Sequence, residues 1–124
     1  MQDEIIEFVI EYLKKNASKK TPITNQQLDS QIQIAFNLKK PLGDGHIRSI
    51  VHDIRRFSDI TNKKGEKGWV CGNVNGYFIS YNAYDILEYL NNFEGKIRKM
   101  TLVHQEGMKL LVNKMYYKQG KLNF

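Results

Sequence analysis

Arg48, Ser49, His52, Arg55 and Arg56 fall within one short stretch and bring together three guanidinium groups, a hydroxyl and an imidazole. Guanidinium forks meet phosphate oxygens or the O6/N7 edge of guanine, and Ser or His can serve as a smaller donor or acceptor. No catalytic constellation accompanies them. His46, His52 and His104 lack metal-ligand spacing and have no Cys or carboxylate cluster beside them, so no metal site is expected. Cys71, the sole cysteine, has no base nominated to activate it and reads as a small buried strand residue. Asp44, Asp53 and Asp59 are scattered over a helix and its ends rather than clustered for a divalent ion. Gly72–Gly76 is not followed by Gly-Lys-Ser/Thr and is no phosphate loop. These features point to a binding protein without cofactor or metal, not to an enzyme.

The element that must carry the cluster is a helix from about Asp44, its expected N-cap, to Arg56. Ile47, Ile50, Val51 and Ile54 recur at i, i+3, i+4 and i+7, one stripe of a helix. At about 100° per residue, Ser49, His52 and Arg56 then share the opposite face, with Arg48 and Arg55 on one flank. The bland alternative is that the arginines pair with Asp53 and Asp59 as solvated surface charge.

Two helices precede it. Glu4–Lys15 carries the stripe Ile5, Phe8, Val9, Tyr12 and Leu13, with acidic residues first and Lys14-Lys15 last, in accord with the helix dipole. Thr21-Pro22-Ile23 reads as a short extended piece, because proline disfavours a helical residue before it. Thr24 or Asn25 then caps a helix through Gln26, Leu28, Asp29, Ile32 and up to Ala35-Phe36. Asn37–Asp44, with Pro41 and Gly43, is a turn, and Lys39-Lys40 sits at its edge. After Arg56, the polar stretch Asp59–Gly68 reads as a mobile loop bearing Lys63, Lys64 and Lys67. Trp69–Cys71 and Tyr77–Ile79 read as strands of a hairpin closed by Gly72–Gly76. Trp69, Tyr77 and Phe78 read as its packing face rather than a base-stacking platform.

From Asn82, a candidate cap, a long helix runs to about residue 118, with a break possible near Gly95 or Gly107. Ile86, Leu90, Phe93, Ile97 and Met100 repeat at spacings of 4, 3, 4 and 3, a heptad-like seam. The rhythm continues through His104 and recovers at Met108, Leu111 and Met115. A helix longer than about 45 Å outreaches a three-helix domain, so its far half is expected to pair with a second copy. This divides the chain into residues 1–81, a long helix over 82–118 and a frayed tail over 119–124.

Bulk properties set the class. The chain has 124 residues, 41% hydrophobic and 26% charged, ordinary for a folded domain. Net charge is +6, of which residues 63–124 contribute most, and a positive excess favours polyanions. No long apolar run predicts a membrane span, and the acidic start Met1-Gln2-Asp3-Glu4 is unlike a signal peptide. With a single cysteine, the expected location is the cytoplasm.

The order helix, extended piece, helix, turn, helix, hairpin resembles a winged helix-turn-helix domain, mainly α with a β-hairpin. The chain is most similar to small phage-encoded winged-helix proteins. Ile47-Arg48-Ser49-Ile50-Val51-His52-Asp53-Ile54-Arg55, then Gly76-Tyr77-Phe78-Ile79-Ser80, then Asn82 and the long helix follow that group's pattern over roughly residues 1–115. It departs from them in the Asp59–Gly68 insertion. The resemblance implies that the third helix enters the major groove of double-stranded DNA and that the wing touches the adjoining backbone or minor groove. Ser49, His52 and Arg56 would then meet base edges. Arg48, Arg55, Lys63, Lys64 and Lys67 would meet phosphates, while Asn73 and Asn75 reach a groove from the wing tip.

The implied function is a homodimeric DNA-binding protein of phage type, a transcriptional regulator or replication-origin factor in the host cytoplasm. Its dimer seam would comprise Ile86, Leu90, Phe93, Ile97, Met100, His104, Met108 and Leu111. A symmetric dimer would offer two recognition helices to a palindromic or repeated site. The alternative is a winged-helix interaction module that binds and redirects a host protein complex.

Overall fold

The computed structural model describes residues 2–118 of the chain. It comprises α1 (Gln2–Asn16), α2 (Asn25–Ala35), α3 (Asp44–Phe57), β1 (Trp69–Asn73), β2 (Gly76–Ser80) and α4 (Ala83–Lys118). Contacts divide it into one compact unit up to Tyr89 and a second from Leu90 onward.

In the first unit the three short helices share a core. α1 contributes Ile5, Val9 and Leu13, α2 contributes Leu28 and Ile32, and α3 contributes Ile47, Ile50, Val51 and Ile54. Each is at most 3% exposed, and full burial of such a side chain stabilises the fold by about 1.5–3 kcal/mol. Ile23, Ile60 and Val70 complete the cluster from the connecting segments. Phe8 stacks on Tyr12 and meets the edge of Phe36 at 5.7 Å, closing the outer side of α1 against the end of α2.

Local chemistry sets the boundaries. Thr24 is the N-cap of α2: its hydroxyl accepts from Gln27 N, and the Gln27 side chain accepts from Thr24 N, a complete capping box. α3 differs from the sequence expectation. Its N-cap is Gly43, at φ 93°, with no side-chain cap, and Asp44 is the first helical residue. The turn is held instead by Asp29, whose buried carboxylate accepts from Leu42 N at 2.8 Å and Gly43 N at 2.9 Å.

β1 and β2 form an antiparallel hairpin in which Asn73 pairs with Gly76, leaving Val74 and Asn75 as the turn. Asn73 Oδ1 accepts from Asn75 N at 2.7 Å. On the other edge of β2, Ile23 and Tyr77 exchange both main-chain hydrogen bonds at 2.8 Å. The order across the strands is therefore Ile23, β2, β1. Gly76, at φ 133°, is required here, since a Cβ would collide with the Ile23 carbonyl.

The 59–68 segment is built rather than loose, which corrects its reading as a mobile loop. Thr61 bridges Lys67, Gly68 N donates to Ile60 O, and Asn62 Oδ1 accepts from the main-chain N–H of Lys64 and Glu66. Ile60 is buried at its base. Polar composition gave no sign of this, because one Asn side chain organises the turn.

α4 begins under tight control. Asn82 Oδ1 accepts from Tyr84 N, Ser80 Oγ donates to Asp85, and Lys19 pairs with the same carboxylate at 2.9 Å. The helix runs through Gly95 and Gly107 unbroken, as one long helix. In the second unit its apolar residues stay exposed: Leu90 44%, Ile97 47%, Met100 70% and Leu111 48%. Among the described residues no helix is long and apolar enough to cross a membrane. The frayed tail expected over 119–124 lies outside the described residues.

Candidate nucleic-acid interface

With Ile47, Ile50, Val51 and Ile54 turned inward, α3 presents its other side to solvent, and Arg48, Ser49, His52 and Arg56 are all exposed. Among the described residues, no hydrogen bond or ion pair engages these four side chains. The Arg56 guanidinium lies 4.7 Å over the ring of the exposed Phe57, which restrains it without neutralising it. Asp59 does not compete for it, because that carboxylate takes Lys67 Nζ at 2.7 and 2.9 Å. The ion pair holds the Asp59 carboxyl below its ordinary range.

Arg55 requires correction. It is half-buried, its Nε donates to Val70 O at 2.8 Å, and its guanidinium sits 4.7 Å from the Tyr89 ring centre. Burial lowers its pKa, against attraction from Tyr89, Tyr77 and Cys71. Arg55 therefore fastens α3 to β1 and to the start of α4 and is not a phosphate contact. Lys67, expected at phosphate, pairs with Asp59 at 2.7 Å with both side chains exposed.

The hairpin tip meets other elements in a cleft lined by Thr24, Asn25, Gln26, Asp44, Asn73, Val74, Gly76 and Tyr77. It joins the N-terminus of α2, the first residue of α3 and the turn of the hairpin. Asn73 and Asn75 are exposed at the hairpin turn, but Asn73 Oδ1 is committed to that turn, leaving its amide nitrogen as its remaining donor. Val74 at the tip is 100% exposed. Asn25 Oδ1 is buried without a hydrogen-bond partner, and Asp44 places a carboxylate in the same cleft.

Lys63 belongs elsewhere. It lines a groove with Phe8, Glu11, Tyr12, Lys14, Lys15 and Asn16 along α1, which shares no residue with the cleft at the hairpin tip. Lys64 lies in the same 59–68 turn, its backbone N–H bonded to Asn62. Lys63 thus lines a basic groove with Lys14 and Lys15 of α1.

Two residues escaped the sequence reading. Asp29 positions α3 by binding the two amides that precede it; the signal was an acid inside an apolar stripe, upstream of a Pro-Leu-Gly turn with free amides. Lys19 fastens the α1–α2 loop to Asp85 and, at 3.7 Å, to Glu88, a pairing across 66 residues with no local signal. Cys71 is buried as expected, and burial pushes its thiol up to about 11, so it is protonated and unreactive. Among the described residues no group of His, Cys, Asp and Glu could hold a metal ion. No family model, curated protein or solved structure matches the chain.

Proposed function

We propose that residues 2–89 form a winged helix-turn-helix unit that binds double-stranded DNA, with α3 in the major groove and the 69–80 hairpin as its wing. One observation carries the reading: α3 hides a continuous apolar stripe and leaves Arg48, Ser49, His52 and Arg56 unpaired on its open face. The connectivity supports it, since the Ile23–β2–β1 order places the hairpin tip beside the start of α3. In this reading Arg56, His52 and Ser49 read base edges, Arg48 fixes register on phosphate, and Asn75 with the Asn73 amide reaches the adjoining groove. Arg55 and Lys67 drop out. A regulator of transcription or a replication-origin factor of phage type fits such a unit equally.

Selection of bound fragments from a random duplex library, read by fluorescence anisotropy, tests binding and sequence preference together. Affinity is expected to fall steeply with salt. Absence of binding to any duplex at low salt overturns the reading.

A protein partner is the second reading, favoured by one observation. Asp44 puts a carboxylate into the cleft where a phosphate would approach, near the fully exposed Val74. Recovery of one stoichiometric host protein that survives nuclease treatment would favour it.

A further inference from the structure

We propose that α4 pairs with the α4 of a second copy of this chain in antiparallel orientation, about a two-fold axis passing between Met100 and Thr101. The apolar stripe runs through Ile86, Leu90, Phe93, Ile97, Met100, His104, Met108, Leu111 and Met115 with spacings of 4, 3, 4, 3, 4, 4, 3 and 4. Read backwards from Met115, those spacings are 4, 3, 4, 4, 3, 4, 3 and 4, so the stripe nearly superimposes on its own reversal. Leu90 then faces the partner's Leu111, and Ile97 faces the partner's His104. At the axis, Met100 meets the partner's Thr101. That threonine suits an apolar seam, because its hydroxyl is already bonded to Ile97 O at 2.9 Å and its methyl remains.

Charge selects the same orientation. Residues 83–94 carry Asp85, Glu88 and Glu94 and no cation, whereas residues 95–118 carry six Lys or Arg against Glu106 alone. A parallel pair would set acid against acid and base against base. An antiparallel pair sets each acidic start beside a basic end, brings Glu94 to the side of the partner's Lys109, and opposes the helix dipoles. The mean repeat along the stripe is close to 3.6 rather than 3.5, so the helices pack almost straight, with little supercoil.

The test uses the full chain with cysteines at exposed seam positions; wild type is the background control, since its Cys71 is buried and protonated. The Leu90→Cys/Leu111→Cys double variant should convert to covalent dimer on mild oxidation, while each single variant stays monomeric on a denaturing gel. Positions 90 and 111 lie about 30 Å apart on one helix, so no bond within one chain can mimic this. Sedimentation should give a dimer for wild type and a monomer for Ile97→Glu. Cross-linking of Leu90→Cys alone would show a parallel pair and overturn the proposal. So would a wild-type monomer at tens of micromolar or no covalent dimer from the double variant. None of these readouts involves DNA, so failure here leaves the duplex-binding reading standing, and the reverse also holds.

Discussion

In α3 the apolar stripe is lost to solvent, with Ile47, Ile50, Val51 and Ile54 each at most 1% exposed. In the second unit, Leu90, Phe93, Ile97 and Met100 have the same kind of helical spacing and remain 44–70% exposed. Both patterns demand an apolar partner. α3 finds it within its own chain, so the side left open is polar and cationic, fit for a polyanion. From Leu90 on, α4 leaves its greasy side open, fit for another protein surface. One amphipathic rule thus yields two unlike exposed faces, depending on which side the chain itself has covered.

The sharpest way to break this contrast is to truncate each stripe. Ile50→Ala should lower unfolding stability by about 2–5 kcal/mol, because the cavity it leaves is fully enclosed. Ile97→Ala, measured by urea denaturation at concentrations too low for association, should change stability by less than about 0.5 kcal/mol. Equal losses would mean that the α4 stripe is covered within its own chain.

A second step removes the device that aims α3. Asp29→Ala leaves the amides of Leu42 and Gly43 without their acceptor and should cost about 1–3 kcal/mol. Hydrogen exchange at those two amides should accelerate more than at the α1 core. Unchanged exchange there would assign the turn to Pro41 and Gly43 instead.

The two neighbouring arginines sharpen the polar side. Arg55→Ala should lower the melting temperature, since Val70 O loses its donor and Tyr89 its cation, a loss on the order of 1–3 kcal/mol. Arg56→Ala should leave melting almost unaltered and weaken duplex binding by about 1–3 kcal/mol. Calorimetry beside anisotropy separates the two roles. Interchanged outcomes would place the wrong arginine against DNA.

Much of this was legible in the residues because it depends on period. Helix spacing marked α3 and its buried stripe, Asn82 announced the start of α4, and the glycines and asparagines of 72–76 announced the hairpin. What stayed hidden depends on meetings distant in sequence. Arg55 and Arg56 are adjacent and alike, and only the arrival of Val70 and Tyr89 beside one of them separates a packed guanidinium from an exposed one. Lys63 reads as a phosphate contact alongside the α3 arginines, yet it lines a groove along α1. Gly95 and Gly107 weaken a helix by about 1 kcal/mol each, which the long runs of helix-forming residues around them outweigh.

The smallest effect concerns where the first unit holds the start of α4. Lys19, by hydrogen bond and charge, together with Ser80, keeps the Asp85 carboxyl below its ordinary value of 3.8, and Asp85 in turn raises Lys19 above 10.5. A carboxyl depressed on folding contributes stability above its unfolded pKa and loses it as pH falls through the native one. A raised ammonium contributes below its unfolded pKa and loses it as pH rises through the native one. The pair therefore supports folding across the interval between these limits and nowhere outside it. Asp85→Asn keeps an oxygen for the Ser80 hydroxyl and removes only the charge. Its melting temperature should fall slightly below wild type at pH 7, and the two should converge at the acid and alkaline extremes. Because both groups are solvent-accessible, the gap should shrink in high salt. A gap that persists unchanged at pH 2 would mean that Asp85 acts through hydrogen bonding at the helix start rather than through its charge.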